Sequence, residues 1–191
     1  MPRQATPTPH AMPRLELDSE AEERYGFLES VVREMGELGL LTHEVLREDI
    51  SRPLGHYTLE VIALSSESMR EINLAHRGKD SSTDVLSFPL EIMELDSENV
   101  LGFSESSCEA LPAPCLGSIL INYDLALEVA KALGHSFEEE VSLLFVHGLL
   151  HILGFDHECD SGEQRALEQH IIQTLGLPKS LIVRTESETP R

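Results

Sequence analysis

A chain of 191 residues with 41% hydrophobic side chains is long enough for one domain with a real core and too apolar to be wholly disordered. Its formal net charge of -20 excludes a broad basic surface that grips nucleic acid through phosphates, and leaves only a local basic patch or a substrate presented by a partner. The longest uncharged apolar run, residues 141–155, is shorter than the ~20 residues of a membrane-spanning helix and carries two histidines, so no membrane association is expected.

Residues 1–18 hold four prolines and few apolar side chains, and read as a disordered N-terminal tail without the apolar core of a secretory signal. A cytoplasmic location follows as an expectation. Residues 20–40 carry Tyr25, Leu28, Val31, Val32 and Met35 at amphipathic helical spacing. Residues 57–64 alternate and are β-branched, which predicts a strand. Residues 66–76 read as a helix capped by Ser66, and 84–90 as a strand whose Pro89 puts it at a sheet edge or a strand end. Residues 91–115 form an expected loop insertion with six acidic side chains and no basic one, the composition of a solvated segment. A short apolar strand is expected over 117–122, then a helix over 124–133 ended by Gly134. Ser136 caps the next helix, with Glu138, Glu139 and Glu140 at its positive end. That helix runs through Leu153 and stops at Gly154. A last helix over 163–175 is closed by Gly176 and Pro178, and 179–191 reads as a C-terminal tail.

The expected fold class is α+β: a single domain over 19–178, with a small mixed β-sheet packed with helices. The pattern leaves the strand order open. Cys108, Cys115 and Cys159 are odd in number and read as reduced bystanders.

The chemistry concentrates in His147-Gly148-Leu149-Leu150-His151-Ile152-Leu153-Gly154-Phe155-Asp156-His157. His147 and His151 stand four apart on a predicted helix and project from nearly the same face, so two imidazoles can share one ion. Gly154 lets the chain turn sharply and bring His157 back to it. Three neutral imidazoles and one open position are the ligand set of a catalytic zinc, one Zn2+ per chain. Cysteine-rich structural zinc is the alternative, with Cys159 as its candidate fourth ligand. The spacing is that of a metzincin-like metal-binding helix, but the glutamate that serves those peptidases as general base is replaced by Gly148. The cage points to hydrolysis and away from a peptidase.

This segment closely resembles the signature of the bacterial rRNA maturation factor family (YbeY), including the glycine after the first histidine. The segment Asn73-Leu74-Ala75-His76-Arg77-Gly78-Lys79-Asp80, followed by Thr83-Asp84-Val85-Leu86-Ser87-Phe88-Pro89, looks like the family's second motif. Leu116-Gly117-Ser118-Ile119 resembles the strand before its helices. The resemblance spans roughly residues 20–177. It implies a single-strand-specific endoribonuclease with zinc on His147, His151 and His157, acting in maturation of the 3′ end of 16S rRNA and in ribosome quality control. It also carries the family's arginine onto Arg77. Two departures stand out: Ser118 occupies a position where the family usually has an acidic residue, and the 91–115 insertion is longer than usual.

On that footing a bound water made more acidic by the metal, or an RNA 2′-hydroxyl that it activates, would attack a phosphodiester while Arg77 holds the phosphate. Arg70 and Lys79 either extend a small basic patch or are ordinary surface charges. Asp156 either orients a histidine or shapes a turn. Asp84, Thr83 and Ser87 match the second motif, although strand ends are rich in such residues, and His76 reads as a surface histidine. Expected partners are single-stranded rRNA and the small subunit or its assembly proteins, since acidic proteins work through basic partners such as a ribosomal protein or an assembly GTPase. Two rival readings are a metal hydrolase of another bond, and a non-catalytic ribosome-assembly factor whose zinc holds the fold.

Overall fold

The computed structural model describes residues 12–41, 47–92, 112–155 and 160–178. Strand β1 (Arg14–Leu17) leads into α1 (Ser19–Tyr25) and α2 (Leu28–Glu37); β2 (Thr58–Leu64) is followed by α3 (Ser66–Arg77), and β3 (Val85–Pro89) precedes β4 (Cys115–Asn122). Among the described residues three helices follow: α4 (Tyr123–Leu133), α5 (Phe137–Ile152) and α6 (Glu163–Thr174). The sheet order is β1-β2-β4-β3, with β1, β2 and β4 parallel and β3 antiparallel on an edge.

This is the mixed α+β architecture expected, with three differences in detail. The expected tail over 1–18 contains a strand at its end. Leu15 and Leu17 of β1 pack on the core, while Arg14 N–H bonds the Tyr57 carbonyl at 3.0 Å. Four residues are too few for their alternation to stand out beside a proline-rich stretch. Residues 1–11 and 179–191 lie outside the described residues, as does 93–111 of the insertion. The single helix expected over 20–40 is two, parted at Gly26 and Phe27. Glycine propagates a helix poorly, and the Phe27 carbonyl accepts the Ser30 hydroxyl at 2.6 Å. The cap of α3 is Ser65 rather than Ser66: Ser65 Oγ accepts the Ser68 N–H at 3.2 Å.

Helix α5 forms for the reasons its sequence announces. Ser136 Oγ accepts the Glu139 N–H at 3.1 Å and the Glu139 carboxylate accepts the Ser136 N–H at 2.7 Å, a complete capping box. From Glu140 to Leu150 every residue is buried, because α5 lies between the sheet, α4 and α6. Phe145, Leu149 and Leu150 join Tyr25, Leu28, Met35, Leu59, Ile119 and Ile121 in one core. The other face of the sheet is covered more thinly. There α3 sets Met69 against Leu86 and Leu120, with Phe88 half-buried beside them. Alternation along β4 divides the faces: Ile119 meets α5 and Leu120 meets α3. Edge strand β3 is thus the ridge between the two helices that carry the sequence motifs.

Candidate active site

The histidines of α5 converge. Their Nε2 atoms are 3.1 Å apart, with the rings inclined at 74°. His147, only 7% exposed, is held from behind: its Nδ1 lies 2.9 Å from Oε2 of Glu168, a fully buried carboxylate on α6. Nδ1–H donates to that carboxylate, which leaves the Nε2 lone pair directed at His151. Two nitrogen lone pairs this close repel unless a proton or a cation lies between them. Two nitrogens bound at ~2.0 Å to one tetrahedral zinc stand about 3.3 Å apart, so the pair fits a shared ion. The buried anion fits it too. Glu168 Oε1 has no hydrogen-bond partner among the described residues, and an uncompensated buried carboxylate is costly. A cation on the far side of His147 offsets that charge through the ring, the carboxylate–histidine–metal arrangement. His157 and Asp156, expected as third ligand and its neighbour, lie outside the described residues, as do Cys108 and Cys159. Among the described residues no group of three metal-binding side chains forms.

Gly148 has a steric reason. A Cβ there would meet Ile119 Cγ2 at 2.9 Å and Ser87 Oγ at 3.1 Å, so the position faces the sheet at closest approach. The Ser87 hydroxyl donates to the Gly148 carbonyl at 3.2 Å and ties α5 to the edge strand. A glutamate side chain has no room on this face.

The two histidines border a groove of about 700 Å3 whose lining includes every residue from 83 to 89. His147, His151 and Phe155 line it together with His76 and Arg77, so the groove brings both motifs together. Arg77, the last residue of α3, is exposed and makes no ion pair among the described residues. Arg70 is different: its guanidinium bonds Asp80 at 2.6 Å, which raises its pKa and lowers that of Asp80, so Arg70 does not extend a free basic patch. Lys79 is exposed just past the αL turn at Gly78 and is not part of the groove lining. Asp84 is the groove's one carboxylate among the described residues, and its Oδ1 accepts the Val85 N–H at 2.9 Å and the Thr83 hydroxyl at 3.2 Å. Against a net charge of -20, the groove lining is close to balanced, with Arg77 and Asp84 as its formal charges beside three histidines.

Three positioning devices were not read from the sequence. The loop between α3 and β3 is pinned by Asn73, whose Nδ2 donates to the Ser81 carbonyl at 2.7 Å, and by buried Asn122, whose Nδ2 reaches Ser82 Oγ at 2.8 Å and the Thr83 carbonyl at 3.1 Å. Arg47 clasps the end of α5, donating to the carbonyls of Ile152 at 3.1 Å and Leu90 at 2.6 Å while paired with Asp49 at 2.8 Å. Burial works to raise the Asp49 carboxyl, but Arg47 and the Ile92 N–H outweigh it and hold its pKa below the usual carboxylate range. Finally, Ser118 Oγ donates to Glu60 Oε2 at 2.5 Å, so a carboxylate does stand beside position 118, supplied by the neighbouring strand.

Comparison with known proteins shows what the chain is similar to. The family model described as endoribonuclease YbeY matches residues 30–176. A Helicobacter hepaticus endoribonuclease YbeY is 50% identical over 173 residues, covering 91% of this chain and 96% of the relative. A Campylobacter jejuni (strain 81-176) endoribonuclease YbeY is 51% identical over 138 residues, covering 72% of this chain and 90% of the relative. A solution structure of a Thermotoga maritima protein is similar at a TM-score of 0.45 and 23% identity, over 86% of this chain and 92% of that one.

Proposed function

Because this chain belongs to the YbeY endoribonuclease family, we propose that it is a zinc-dependent, single-strand-specific endoribonuclease of the cytoplasm that matures the 3′ end of 16S rRNA and serves ribosome quality control. The observation that carries this reading is the 3.1 Å approach of the His147 and His151 Nε2 atoms inside a groove that also receives Arg77. His147 and His151, joined by His157, would hold one zinc ion. When bound, that ion supplies Lewis acidity and a water activated near neutral pH.

The chain's own residues do the rest. Glu168 keeps the His147 proton on Nδ1 and so keeps Nε2 available as a ligand. Arg77 takes the phosphate: its forked guanidinium matches two phosphate oxygens at once, so it stabilises charge gathering in the transition state. Asp84, with Oδ1 engaged by Val85 and Thr83, sets the start of the edge strand rather than moving a proton. Lys79 adds attraction for phosphate outside the groove, and Asp156, next to His157 in sequence, would orient that histidine or shape the turn before it. The lack of room at Gly148 counts against a peptidase using the metzincin base. No helix among the described residues is long and apolar enough to cross a membrane. Ribosomal or assembly proteins are the partners we expect to bring this acidic enzyme to its RNA.

The test is cleavage of an end-labelled RNA, single-stranded and duplex, by purified protein with and without chelator. Cutting confined to the single strand and abolished by chelation supports the proposal. Cutting of casein in place of RNA, or undiminished RNA cutting after metal removal, overturns it.

A further inference from the structure

Among the groove's rings that the chemistry above does not use, two pack on each other. His76, an exposed residue of α3, packs edge-on against Phe88 of β3 with ring centroids 5.0 Å apart and planes inclined at 63°. Both line the groove with Arg77, His147 and His151. Phe88 rests on the small cluster of Met69, Leu86 and Leu120 but stays half-buried, so part of its ring is left for the groove. Its neighbour Ser87 points the other way, onto the Gly148 carbonyl beside His147. The aromatic corner and the contact with α5 therefore lie on the two sides of one edge strand, carried by consecutive residues. A polynucleotide crossing this edge from the metal pair meets Arg77 and the two rings together.

Resting on the RNA-cleaving reading, we propose that His76 and Phe88 form a nucleobase-stacking subsite next to the scissile phosphate, and that this subsite confines cutting to unpaired RNA. Aromatic platforms beside a backbone-holding cation are how single strands are gripped without sequence preference. In an A-form duplex the bases stack on one another and their faces are closed to such rings. The pair thus reads strandedness, while Arg77 and the metal wall read phosphate.

The test uses a fluorescein-labelled single-stranded RNA octamer, its duplex, and octamers with one abasic nucleotide, assayed by anisotropy and by cleavage. His76→Ala should weaken octamer binding and raise KM by about tenfold, leave kcat within about threefold, and narrow the preference for single strand over duplex. One abasic position should cost the wild type a similar factor and cost His76→Ala little more. His76→Tyr keeps a ring without imidazole chemistry and should restore wild-type affinity. Phe88→Leu, which keeps apolar volume against Met69, should behave like His76→Ala. Wild-type affinity and KM in His76→Ala, with cleavage intact, would overturn the subsite and leave the nuclease standing. Failure of His76→Tyr to rescue would also overturn it. Binding that depends on His76 without cleavage would sink the nuclease reading while keeping the subsite.

Discussion

On the α5 side of the edge strand, His147 is buried and backed by a fully buried Glu168, and Gly148 is pressed against Ile119 and Ser87. On the α3 side, His76 and Arg77 are exposed at the end of a helix, beside a loop tied back by Asn73 and Asn122. The first wall is fixed by packing. Its side-chain geometry comes with the fold, and disturbing it should register in stability or in the proposed metal affinity. The second wall is a rim of side chains over a thin core, free to adjust to a polynucleotide, so its losses should register in activity alone.

Arg77→Ala should draw that contrast most sharply: kcat/KM falls by roughly 10²–10³-fold, as for a lost transition-state donor, while thermal unfolding hardly moves because the side chain is exposed. Arg77→Lys should recover only part of the loss, since the forked contact is gone. Glu168→Gln works from the other wall. It should weaken metal binding by about 10–100-fold, measured by competition with a chromophoric chelator, with RNA affinity unchanged. Gly148→Ala should cost stability, about 1–3 kcal/mol, seen as a lowered denaturation midpoint, because neither the helix nor the sheet has slack for a methyl group. The smallest effect belongs to Asp49. Its folded pKa is depressed, so its contribution to stability is present above the unfolded carboxylate value, ~3.9, and is lost as pH falls through the lower folded value. Acid unfolding of Asp49→Asn should be correspondingly less steep below pH ~4. A stability loss in Arg77→Ala larger than in Gly148→Ala would erase the distinction between the walls.

The α5 wall was partly legible in advance. The capping box at Ser136, histidines four apart and a glycine three further on are local patterns, and the structure brings His147 and His151 together. Glu168 was not, because it lies 21 residues away and matters only once α6 docks. Its one signal was faint: Gln164 and Glu168 fall on the apolar stripe with Ile171 and Ile172, where a buried carboxylate needs a reason. His76 is exposed, as its reading as a surface histidine expects, but its contact with Phe88 was not legible because that ring belongs to another element. The sheet order and Arg47's clasp on α5 are likewise set by long-range contacts that periodicity does not encode. Gly148 shows the opposite case: the missing base was visible in the sequence, and its cause, contact with Ile119 and Ser87, only in three dimensions.

The central claim is that the α5 histidines hold the metal that cleavage requires. The most direct measurement is zinc bound per folded chain, by elemental analysis, in wild type and His151→Ala, run beside cleavage of the same single-stranded RNA. About one zinc per wild-type chain, with both metal and cleavage lost in a folded His151→Ala and with no cleavage by chelated wild type, is the predicted result. Full cleavage by metal-free wild type, or by His151→Ala, would contradict it.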